Sequence, residues 1–407
     1  MANEIFKPVI RFIAMSDVHL KDEHSVEHDR LVKAIKDAYK IAQTHPTYKS
    51  LDALVVAGDL ATSGSEVQFT RAKEIFDANL KDETKRIVSI ASHEFHGEGV
   101  EPAYEKLKRI LNSDGDTHEV INGFHFVAVS PSRGCNVDDD KIAWVRAQLT
   151  EAHKDDPKKP VFMFQHPHVS GTVYGATNWG EDELNIVYND FPQILVFSGH
   201  SHAPINDPRS IHQQHYTCLG TGSLSYFELD EFDKACNTIP ENSQNCAQML
   251  IVEADEQNRV RVYPYDILTG NFFQYVWKID EPSDPETFTY TDAKRYKEAL
   301  APYFNDGAQA VACDITEKGA TITFPQATCD DQPFVNSYDI VIRRKDNGVI
   351  ESQKSIWSEY YFYNMPETRS ISFDLLDSNT EYVAKVTAKG FFHNKSSNSL
   401  TVEFKTK

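Results

Sequence analysis

The chain is short of positive charge. It has 41 lysines and arginines against 61 aspartates and glutamates, a formal net charge of -20 over 407 residues. That balance argues against a nucleic-acid duplex or an anionic membrane as the main partner. Any positive field for a phosphate must then come from bound metal and not from a basic surface. There is no apolar run long enough to span a bilayer. The start, Met1 to Lys7, lacks the basic-then-apolar pattern of a leader, so the sequence as written reads as cytoplasmic, or as exported after removal of a signal peptide. The six cysteines include no Cys-x-x-Cys pair, which argues against a thiolate zinc or thioredoxin-like site. Cys236/Cys246 and Cys313/Cys329 are close enough to be disulfides, although reduced, partly buried thiols are the commoner state for a chain of this size. Internal repeats and low-complexity tracts are missing too.

What is present is an alternation of strand and helix patterns from residue 10 to about 280. Ile10–Met15, Leu54–Ala57, Arg86–Ile90, Gly123–Val129, Val161–Phe164 and Ile194–Phe197 read as strands. Helical periodicity covers about Asp29–Gln43, Val67–Leu80, Pro102–Leu111 and Lys141–Ala152. This predicts an α/β layered domain over residues 1–282. Asp138-Asp139-Asp140 has the composition of a helix start and lacks the rest of a calcium loop. Glu281-Pro282-Ser283-Asp284-Pro285 is a turn-rich break. Residues 283–307 form a linker with a short helix, and 308–407 alternate apolar and polar residues as an all-β sandwich does.

The chemistry sits where apolar runs end. Asp17-Val18-His19 follows the first, Gly58-Asp59 the second, Ala91-Ser92-His93-Glu94 the third, His166 a later one, and Gly199-His200-Ser201-His202 the last. In open α/β sheets the functional crevice lies outside the carboxyl ends of the strands. Carboxylates and imidazoles gathered there suit Mn, Fe or Zn, not Ca.

In this order the motifs resemble those of the calcineurin-like metallophosphoesterase superfamily, most of all the class III cyclic nucleotide phosphodiesterases. The resemblance implies a four-layer α/β/β/α sandwich and two divalent or trivalent metal ions. It implies that Asp17, His19 and His202 hold the first ion, that Asp59 bridges both, and that His166 and His200 hold the second with Ser92. His93 would act beside the leaving group or a non-bridging oxygen. The nucleophile would be a metal-bridging hydroxide, the substrate a small phosphate ester, with nucleotides among the candidates, and a phosphodiester favoured. A phosphomonoesterase or protein phosphatase uses the same core. A weakly active or inactive metal-binding or adhesion protein is the alternative of another class. The family has Gly-Asn where this chain has Ala91-Ser92, which implies a second site completed less well.

The last hundred residues resemble a fibronectin type III module, with immunoglobulin-like architecture and a capacity to bind protein or glycan. Leu376 to Tyr382, followed by Val383-Ala384-Lys385-Val386, carries the likeness. Tyr382 would hydrogen-bond back to the preceding corner. His24 and His28 read as solvated, His96 and His168 as loop or pocket-rim residues that could contact substrate. Tyr174, Asn178, Trp179, Tyr216 and Tyr226 read as loop residues, more often packing loops together than stacking on a base.

Overall fold

The strand Pro8–Met15 is apolar on both faces, as a strand covered on both sides must be. In the computed structural model, which describes residues 5–230 and 239–407, it runs parallel to Ala53–Ala57, which runs parallel to Lys85–Ser89. On its other side lies Gln248–Asp255, antiparallel, followed by Val260–Asp266. A second sheet has Phe124–Ala128, Val161–Phe164, Ile194–Ser198 and Thr217–Gly220 in parallel. Antiparallel strands Thr117–Ile121 and Ile211–Gln213 close its edges.

The two sheets share an apolar core. Phe12 lies at its centre, with the rings of Phe126, Phe162, Phe164 and Phe197 at centroid distances of 4.7 to 6.0 Å. These edge-on contacts fix the spacing of the sheets. Helices Val26–Thr44, Glu66–Asn79 and Val100–Leu111 pack on the outer face of the first sheet. Asp139–Asp155 and the short turns near 185–188 pack on the second. The result is the expected four-layer α/β/β/α metallophosphoesterase fold.

The sequence expectations need local corrections. His28 is buried, not solvated: it lies in the first turn of its helix, where Nδ1 accepts the Ser25 N–H at 3.1 Å. His24 stays exposed beside Asp29. Asp138 caps its helix by accepting the Lys141 N–H at 3.0 Å. Cys313 and Cys329 are free thiols; Cys236 lies outside the described residues. No helix among the described residues is long and apolar enough to cross a membrane.

The chain divides into two compact units, Met1–Thr291 and Asp292–Lys407. The second opens with the helix Asp292–Glu298. It then builds one sheet from Val311–Cys313, Ala320–Pro325 and Thr368–Phe373. The other is ordered Ile350–Trp357, Ser337–Arg344, Glu381–Lys389, Leu400–Lys405. Inward residues of both sheets, including Phe324, Phe373, Tyr338 and Ile340, form one core. Tyr382 is buried, and its hydroxyl oxygen accepts the Asp377 N–H at 2.9 Å.

Candidate metal centre

Parallel strands that all end on one side bring their following turns together. Asp17 and His19 leave Pro8–Met15, Asp59 leaves Ala53–Ala57, His93 follows Lys85–Ser89, His166 follows Val161–Phe164, and His200 and His202 follow Ile194–Ser198. The side chains converge as three groups whose ligand-type atoms lie within 4.8 Å of one another: Asp17, His19 and His202; Asp59, His166 and His200; and His19, Asp59 and His93. Asp59 thus reaches both His19 and His166.

The turns that deliver these side chains are unusual. Asp17, His19, Asp59, His200 and His202 all have φ between 50° and 72°, the left-handed region that costs an L-residue roughly 1–2 kcal/mol. Such conformations persist where the surroundings over-determine them, and they cluster at functional sites. Gly58 (φ +86°) makes a close approach: a Cβ there would sit 2.5 Å from His166 Nδ1.

Three of the imidazoles are oriented through Nδ1. His166 Nδ1 donates to the Ala57 carbonyl at 2.9 Å and His202 Nδ1 to the Tyr226 carbonyl at 3.0 Å. Both therefore turn Nε2 inward, where His166 Nε2 lies 3.0 Å from Asp59 Oδ2 and His202 Nε2 3.2 Å from Asp17 Oδ1. His19 Nε2 lies 3.2 Å from His202 Nε2. His93 Nδ1 donates to the Thr62 carbonyl at 3.1 Å, and its backbone N–H donates to Asp59 Oδ1 at 3.1 Å. Asp17 Oδ2 accepts from the Ser16 hydroxyl and from the His200 N–H at 3.1 Å. Fixing the outer nitrogen of a ligand histidine is the usual means of setting its tautomer.

Burial alone would raise Asp17 and Asp59. The imidazoles of His202, His166 and His19 beside Asp17, and of His166 and His19 beside Asp59, reverse this and hold both carboxyls well below the usual range. His166 is pushed up to about 10 against its burial by Asp59 and Asp17. His19 and His200 go the other way, to about 3 and about 4, chiefly through burial and then through the neighbouring His202 and His166.

These residues fit a pair of metal ions. Asp17 Oδ1 and His166 Nε2 are fully buried and have no aligned hydrogen-bond partner. Their charges are met only by neighbours within the nest; buried polar atoms without aligned hydrogen bonds are costly, and a cation among them would give Asp17 Oδ1 a partner and take the place of the proton on His166 Nε2. Mixed carboxylate and imidazole donors suit a borderline or hard transition ion.

Several supporting residues were not legible in advance. Glu94 is buried, with Oε1 accepting the Ala61 N–H and Oε2 the Ala91 N–H, each at 2.7 Å, so it ties the turn after Asp59 to the turn before His93. His168 is no rim residue. It is buried between the Ser198 and Ser201 hydroxyls, each 2.7 Å away, and braces the Gly199–His202 turn. His96 is exposed, its ring 4.6 Å from that of His93. Of the loop aromatics, Tyr174 and Tyr216 are buried packing residues, whereas Tyr226 lies against His202 at 4.2 Å and Trp179 edge-on to His200 at 4.8 Å. Asn178 is exposed, its amide donating to Asp230 at 3.2 Å. Ser92 is half-buried and lies beside the sulfur of Cys135.

Residues 10–204 match the model of the calcineurin-like phosphoesterase family. Among solved structures, a purple acid phosphatase from yellow lupin (Lupinus luteus) seeds is similar at 11% identity and a TM-score of 0.46, covering 67% of this chain and 53% of that one. A fibronectin type III domain of human collagen XX is similar at 18% identity and a TM-score of 0.19, covering 26% of this chain and all of that one. No curated protein matches the sequence. The unit that contains residues 10–204 has the metallophosphoesterase fold.

Proposed function

We propose that the chain is a dinuclear metal-dependent hydrolase of phosphate esters that prefers diesters. The observation that carries the reading is the buried nest itself, in which Asp17 Oδ1 and His166 Nε2 lack aligned hydrogen-bond partners. Asp17, His19 and His202 would hold one ion, His166 and His200 the other, with Asp59 between them. Two bound ions would supply the Lewis acidity that activates water and offsets the charge of a phosphate. The chain's own residues do the rest. His93, held through Nδ1 by the Thr62 carbonyl, would as an imidazolium give its Nε2 proton to the departing oxygen and be left neutral. Its backbone N–H on Asp59 keeps it in register with the nest.

The diester preference rests on charge. Glu228 acts electrostatically on His202 and Asp17, and Glu181 on Cys135 beside His200, with Asp182 and Glu183 adjacent. Carboxylates near the nest repel a doubly charged monoester more than a singly charged diester. Bis(p-nitrophenyl) phosphate, p-nitrophenyl phosphate and cyclic AMP, assayed with Mn, Fe or Zn added, test this. Faster turnover of the diesters is expected, with a loss of roughly 10²–10⁴-fold in His93→Ala; preference for the monoester overturns it. Ser92, where the family has Asn, favours the second reading, a metal-binding protein of little activity. That reading takes over if the wild type binds two ions and hydrolyses none of the three. For the second unit we propose a fibronectin type III-like spacer, supported by its strand order and by the Tyr382 hydroxyl on the Asp377 N–H.

A further inference from the structure

Among the ligand-type histidines, His200 is held differently. His166, His202 and His93 each give Nδ1 to a backbone carbonyl. His200 instead has its Nε2 3.4 Å from the sulfur of Cys135, a residue 65 positions earlier in the chain. With that nitrogen engaged by the sulfur, Nδ1 is the one left for an ion. The sulfur is not one of the atoms that cluster with Asp59, His166 and His200. It contacts His200 through one ring nitrogen, as a carbonyl contacts His166, His202 and His93.

Three further observations converge on this contact. Cys135 lies in the turn after the strand Phe124–Ala128, held by hydrogen bonds between Arg133 and Asn136 in both directions. Its second polar neighbour is the Ser92 hydroxyl, at the position where the chain departs from the family. The indole of Trp179 packs edge-on against the His200 ring, so the ring cannot rotate freely to find another partner. The ligand that such positioning serves is indicated independently by His166, fully buried, whose Nε2 faces Asp59 Oδ2 at 3.0 Å in the same group without an aligned hydrogen bond.

We propose that Cys135 is a positioning residue for the second metal ion. Its sulfur accepts the Nε2–H of His200 and fixes that ring with Nδ1 toward the ion, with Ser92 buttressing the sulfur instead of coordinating. In this chain the Ser92–Cys135–His200 array does by orientation part of what an Asn side chain does by direct ligation. The inference rests on the dinuclear reading above.

The test uses the full chain as wild type, Cys135→Ala and Cys135→Ser. Manganese or zinc retained after gel filtration into metal-free buffer is counted per chain, and the two affinities are measured by competition with a chelating dye. Loss of a second-shell partner of a metal ligand weakens binding about 10- to 100-fold. Cys135→Ala is expected to lose that much at one of the two ions and leave the other unchanged, and Cys135→Ser, which keeps an acceptor, to recover most of it. Cobalt-loaded wild type is expected to show no thiolate-to-metal charge-transfer band in the near ultraviolet. Two unchanged affinities in Cys135→Ala overturn the proposal. So does a charge-transfer band in the wild type, which makes the sulfur a direct ligand and needs no variant to fold. A wild type that never binds a second ion sinks the dinuclear reading instead, a different result from either.

Discussion

Gly58→Ala tests how the fold delivers its histidine to the nest. Two effects separate cleanly at this position. Gly58 has φ +86°, where any L-residue is strained by roughly 1–2 kcal/mol. A methyl carbon there would also lie 2.5 Å from His166 Nδ1, 2.6 Å from Cγ and 2.7 Å from Cβ, about 1 Å inside a comfortable contact. His166 is fully buried and its Nδ1 is tied to the Ala57 carbonyl at 2.9 Å, so the ring cannot swing away without losing that bond. Overpacking of this kind adds roughly 1–3 kcal/mol. Gly171→Ala supplies the control: φ is +69° and nothing lies within 4 Å of the added carbon, so it carries the backbone strain alone. Urea unfolding in chelator is expected to show Gly58→Ala less stable than Gly171→Ala by about 1–3 kcal/mol. Metal titration is expected to show one ion weakened about tenfold or more in Gly58→Ala and neither in Gly171→Ala. Equal destabilisation in the two variants, or wild-type affinity in Gly58→Ala, refutes the steric argument.

Ser92→Asn places a side-chain carbonyl where the family carries one; tighter retention of one ion in dialysis and faster diester turnover are expected, and no change in either counts against the pattern-based account. Arg30 is buried and donates to the Leu224, Ser225 and Gln244 carbonyls at 2.8, 2.7 and 2.5 Å, next to the Tyr226 carbonyl that orients His202. Arg30→Leu strands three acceptors, and denaturant titration is expected to read a loss of about 3–5 kcal/mol, with faster amide exchange at residues 224–226. Tyr382→Phe leaves the Asp377 N–H without its acceptor and is expected to cost about 1–2 kcal/mol, seen in the melting of the second unit and not in diester hydrolysis. Stripping the protein with a chelator is expected to remove about 4 kcal/mol for each ion that had been present at a thousandfold excess over its Kd, lowering Tm by roughly 10 °C or more; a melting curve indifferent to chelation argues against tightly held ions.

The strands that carry the centre are readable because each is an apolar run that stops abruptly at a carboxylate or imidazole, as Leu54–Ala57 does before Gly58-Asp59. Edge strands are not. Thr117–Ile121 is half-exposed, and Ile350–Trp357 is partly exposed along its length; their pairing comes from the neighbouring strand and not from their own periodicity. Burial of His28 and His168 was equally hidden, since Ser198 and Ser201 approach His168 only once the last turn has folded back. The Cys135–His200 contact joins two loops from different strands of one sheet, and no spacing rule foretells it.

The left-handed turns at Asp17, His19, Asp59, His200 and His202 bear on any attempt to move this centre elsewhere. Copying the seven side chains onto another scaffold would relax those backbones within a turn and scatter the donors. What must be transplanted is the rim of two face-to-face sheets, whose spacing the phenylalanine layer beneath sets.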